Sequence, residues 1–67
     1  MGFSKREKRI DMLRNIVLDR YEKERPEKKS TPDLANQIYW DMQDIYDREG
    51  FEAAKEKAST MKLSYSF

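Results

Sequence analysis

Thr31-Pro32-Asp33-Leu34-Ala35-Asn36-Gln37-Ile38-Tyr39-Trp40-Asp41-Met42-Gln43-Asp44-Ile45-Tyr46-Asp47-Arg48-Glu49-Gly50 decides the fold. The stretch opens with a hydroxyl suited to an N-cap, a proline suited to the first helical position, and an acid for the positive end of the dipole. At about 100° per residue, Leu34, Ala35, Ile38, Tyr39, Met42, Ile45 and Tyr46 share one face roughly 140° wide. A stripe that broad contacts two neighbours, not one. Gly50 closes the stretch as a C-cap able to adopt the left-handed conformation. The spacing therefore predicts a helix over 32–49 that packs against two partners.

Those partners lie on either side of it. Upstream, Ser4-Lys5-Arg6-Glu7 matches a capping box, in which the serine oxygen accepts an orphan amide and the glutamate reaches back. Ile10, Leu13, Val17 and Tyr21 then recur at the 3/4 spacing of one face, with Ile16 beside them. Pro26 cannot extend the ladder and restricts Arg25 before it, so the helix runs over 5–24 and Pro26–Ser30 connects. Downstream, Phe51, Ala54 and Ala58 point inward while Glu52, Lys55, Glu56 and Lys57 point outward, which gives a short helix over 51–59. From Met61 to Phe67 apolar and polar residues alternate, the period of a half-buried strand with no sheet of its own. The predicted fold is all-α: one domain over 1–67, a helical hairpin plus a short third helix, and an extended C-terminal tail over 60–67.

A chain of 67 residues buries only about 60% of the surface its unfolded form exposes, so its core alone barely offsets chain entropy. Disulfides and structural zinc do not help, because the sequence has neither cysteine nor histidine. Helix packing, a partner or self-association must make up the difference, and a homodimer or higher oligomer is expected. Charged residues make up 40% of the chain yet nearly cancel, at a net +1. The distribution is uneven: residues 1–29 carry +4, residues 30–56 carry −5, and Lys57 and Lys62 supply the rest. The overall balance argues against bulk attraction to nucleic acid or to an acidic membrane. No apolar run reaches the length of a secretory signal, Ile16-Val17-Leu18 being the longest aliphatic stretch. A soluble, cytoplasmic protein is the expectation, with no membrane partner.

Catalytic chemistry finds little to work with. The residues that form most nucleophile–base pairs are absent, and Gly2 and Gly50, the only glycines, cannot build a phosphate-cradling loop. Asp41, Asp44 and Asp47 lie at i, i+3, i+6 on an outward helical face, where a solvated acidic surface is the simpler reading. An EF-hand loop centred on Gly50 would place Ile45 at its first ligand position, which excludes calcium. A helix-turn-helix through Gly50 would offer Phe51–Ala58 as the reading helix, and that segment lacks arginine, asparagine and glutamine. No enzyme, no cofactor and no metal site is expected.

Two surfaces remain. Trp40 lies on the wheel opposite Leu34, Ile38 and Ile45, among Asp33, Asn36, Asp44 and Asp47. A tryptophan among polar residues is an anomaly, and tryptophan is enriched at binding hot spots. The competing reading is that the third helix or the tail folds over it and makes it core. The tail itself, with Leu63, Tyr65 and Phe67 on one side, suits docking onto the sheet edge of another chain. The expected function is therefore protein recognition by a small regulator, inhibitor or adaptor. It would act through Trp40, Asn36, Asp44 and Asp47 and through Leu63, Tyr65 and Phe67. The alternatives are a nucleic-acid accessory protein using Lys5, Arg6, Lys8 and Arg9 on phosphates, and a structural subunit of a larger assembly.

Overall fold

A computed structural model describes residues 4–27 and 31–63. Three helices follow in chain order: α1 over Lys5–Glu24, α2 over Pro32–Glu49 and α3 over Phe51–Thr60. Local chemistry sets their ends. The Ser4 hydroxyl accepts from the Glu7 amide at 3.2 Å, and the Thr31 hydroxyl accepts from the Leu34 amide at 3.1 Å. Each satisfies one of the orphan donors of a first turn. At the far end of α1 the Arg25 amide returns to the Tyr21 carbonyl, and Pro26 prevents continuation.

The junction between α2 and α3 is a single residue. Gly50 donates its amide to Tyr46 O at 2.9 Å and accepts from the Ala54 amide at 3.1 Å, so it ends one helix and starts the next. Its φ of +93° is positive, as expected of this glycine, but its ψ of 171° is not that of a left-handed helical residue. It occupies the extended positive-φ region that is essentially reserved for glycine. The reason is geometric: a left-handed helical C-cap leads the chain away, whereas this conformation turns it straight into a new helix.

All three helices pack on one another. The core takes Ile10, Leu13, Val17 and Tyr21 from α1, Leu34, Ile38 and Met42 from α2, and Ala54 and Ala58 from α3. The outer parts of the wide α2 stripe, Ala35, Tyr39, Ile45 and Tyr46, are half-buried. Leu34, Ile38 and Met42 thus fill the shared core while the flanks face the other two helices. Because α3 presents alanines, its backbone can approach the larger side chains of α1 and α2 closely. Arg20 secures this contact by donating from Nη1 to the Ala58 carbonyl at 3.0 Å, capping the end of α3 with a side chain from α1.

Beyond α3 the chain becomes extended at Met61, with φ −62° and ψ 149°. Met61 and Leu63 are half-buried against the core. Tyr65 and Phe67 lie outside the described residues, as does the expected tail from residue 64 onward. The helix before it runs to Thr60, one residue further than the spacing predicts. The Ser59 and Thr60 hydroxyls bond back to Lys55 O and Glu56 O, one turn earlier, sharing carbonyls of the helical ladder.

Candidate protein-binding face

The outward face of α2 carries Asp33, Asn36, Gln37, Trp40, Asp41, Asp44 and Asp47, all exposed. Trp40 stands at the middle of it with 73% of its surface open to solvent. Neither α3 nor Met61–Leu63 folds over it as the core reading requires. It lines a shallow depression with Asp33, Asn36 and Gln37. The helix needs nothing from this side chain, since α2 already buries Leu34, Ile38 and Met42 on its opposite face.

The acids around Trp40 are not equivalent. Asp44 forms an i,i+4 ion pair with Arg48 at 2.9 Å, with both side chains more than half exposed. Asp47 takes a two-point grip from α1: Arg6 Nε donates to Oδ1 at 3.1 Å and Nη2 to Oδ2 at 2.6 Å. Hydrogen bonding from the guanidinium, helped by its charge, holds the Asp47 carboxyl below its ordinary value. The same bond raises Arg6. Of the residues proposed from the sequence as protein-binding, Trp40 and Asn36 face solvent, Asp44 is paired within its own helix, and Asp47 joins two helices. Leu63 lies against the core of its own chain.

The alternative basic cluster is also divided. Arg6 is committed to Asp47. Arg9 donates to the Tyr46 hydroxyl at 3.3 Å, and its guanidinium lies 5.3 Å from the centroid of the Phe51 ring. Phe51 in turn meets Tyr46 edge to face, with centroids 6.3 Å apart. Lys5 and Lys8 remain as exposed cations of that turn. A cation is disfavoured at the positive end of α1, where Arg6 lies, but its partner Asp47 brings it near the negative end of α2, where a cation is favoured.

A groove of about 320 Å³ runs between α1 and α2, lined by Glu7, Lys8, Asp11, Arg14, Asn36 and Tyr39. Arg14 pairs with Asp11 one turn away and lies 5.9 Å from the Tyr39 ring centroid. Its Nε is buried without a hydrogen-bond partner. No sequence signal singled out Arg14, because its contact with Tyr39 on α2 depends on how the two helices cross. Among the described residues, no three His, Cys, Asp or Glu side chains converge as a metal site, and no helix is long and apolar enough to cross a membrane. Comparison with protein-family models, curated proteins and solved structures finds no match to this chain.

Proposed function

We propose that this chain is a non-enzymatic protein-recognition module that docks a cationic surface of another protein onto the outward face of α2, with Trp40 as the anchor. The observation that carries this reading is the 73% exposure of a tryptophan that the fold does not use. Burying an indole on binding removes a large apolar area from water, and its π face attracts a lysine or arginine. Asp33 and Asp44, which neighbour it on the helix surface, favour the same charge in a partner. Recognition of phosphates by the N-terminal turn has weaker support, since Arg6 and Arg9 are held by Asp47, Tyr46 and Phe51.

Parallel affinity capture from lysate, with nuclease treatment, tests the reading. Proteins held by the wild type and lost with Trp40→Ala support it. Proteins retained equally by both, or retention that nuclease abolishes, contradict it.

A further inference from the structure

Two large apolar side chains stand out of the described surface: Met12 on α1, 50% exposed, and Trp40 on α2, 73% exposed. Their surroundings have opposite sign. On the helix surface a residue neighbours those three, four and seven positions away. For Met12 these are Lys5, Lys8 and Arg9 on one side and Asn15, Ile16 and Asp19 on the other. For Trp40 they are Asp33, Asn36 and Gln37, then Gln43, Asp44 and Asp47. Met12 therefore has three cations and one acid among its helix neighbours, whereas Trp40 has three acids, of which Asp44 and Asp47 are paired with Arg48 and Arg6.

We infer that the chain self-associates, with the Met12 face of α1 in one copy docked on the Trp40 face of α2 in another. This rests on the reading of the Trp40 face as a docking surface, and names a second copy as one cationic partner for it. A methionine thioether packs favourably against an indole. Lys5 and Lys8 would meet the carboxylates flanking Trp40. The intramolecular Asp44–Arg48 and Arg6–Asp47 pairs lie at the surface, with side chains 45–64% exposed, so they can exchange partners at little cost. Each copy carries both faces, and because they are different patches the contact is heterologous, so one copy can engage a neighbour through each face. A chain this small gains most from such an association, because its own core is limited. Assembly covers Trp40, so a second copy and a foreign partner compete for the same face.

The test is sedimentation of the purified full chain over a wide concentration range, at low and at high salt. Trp40→Ala should weaken association at least about tenfold, as expected for a hot-spot anchor. Two charge variants sharpen the result: Lys5→Glu with Lys8→Glu, and Asn36→Lys with Asp44→Lys, each checked for helicity by circular dichroism. Each alone should sediment as a monomer, and an equimolar mixture should restore association. A wild-type chain that stays monomeric at every concentration overturns the inference. So does association that ignores both Trp40→Ala and the charge exchange. A monomeric chain that still loses a captured partner with Trp40→Ala defeats only this inference. Association as described with no captured partner defeats only the foreign-partner reading.

Discussion

Replacing Gly50 by alanine would force an L residue to hold φ +93° and ψ 171°. The site has open space, with nothing within 4 Å of an added Cβ, so the cost is that of the backbone alone. It should be about 1–3 kcal/mol, and each kcal/mol lowers the melting temperature of so small a domain by about 4–8 °C. An unchanged melting temperature would mean that the α2–α3 junction is not built this way. Trp40 should behave in the opposite manner. Trp40→Ala removes no core contact and replaces an aromatic by the best helix former, so thermal unfolding of the chain diluted to the monomer, where lost association does not contribute, should change by no more than about 0.5 kcal/mol. A loss of several kcal/mol would place the indole in the core. Trp40 was visible in the sequence as an anomaly, but its exposure was not, because wheel position alone does not say what lies over a side chain.

At the scale of the helices, the close approach of α3 depends on Ala54 and Ala58, both fully buried. Ala58→Leu should overpack the interface and cost about 1–3 kcal/mol, read as a lower midpoint in chemical denaturation. A variant as stable as the wild type would show that α3 stands further off than described. Ion pairs that respond to acid tie the end of α2 to α1, through Arg6–Asp47, and to α3, through Lys57–Glu49. Hydrogen bonds from Arg6 to Asp47 and from Lys57 to Glu49 lower both carboxyl groups in the folded state. Their contribution is fully present above the unfolded carboxylate values and is lost as pH falls through the lowered folded ones. Melting temperature should therefore fall on acidification through that range, and Asp47→Asn with Glu49→Gln should show a shallower fall. An identical pH profile in the variant would remove these pairs from the account. The helices themselves were legible, since caps and apolar spacing are local: Ser4, Thr31, Pro26 and Gly50 mark ends that the structure keeps. The grip of Arg6 on Asp47 was not, because it joins positions 41 apart and depends on the crossing of α1 and α2. The conformation of Gly50 was only half legible: glycine announces a positive φ, while ψ follows from where α3 must go.

For the molecule as a whole, the described fold satisfies its core with three helices and leaves its sole tryptophan outside. That arrangement leaves the Trp40 face of α2 open for docking, whether the occupant is a foreign protein or a second copy. The chain carries its own probe, because all tryptophan fluorescence must come from Trp40. The most direct measurement is therefore the emission and quencher accessibility of the full chain through a dilution series. The dilute chain should emit as a water-exposed indole, open to a neutral quencher, and shift to the blue with protection as concentration rises. Blue-shifted, quencher-resistant emission at every dilution down to the monomer would contradict the account, since it would show that the fold itself buries Trp40.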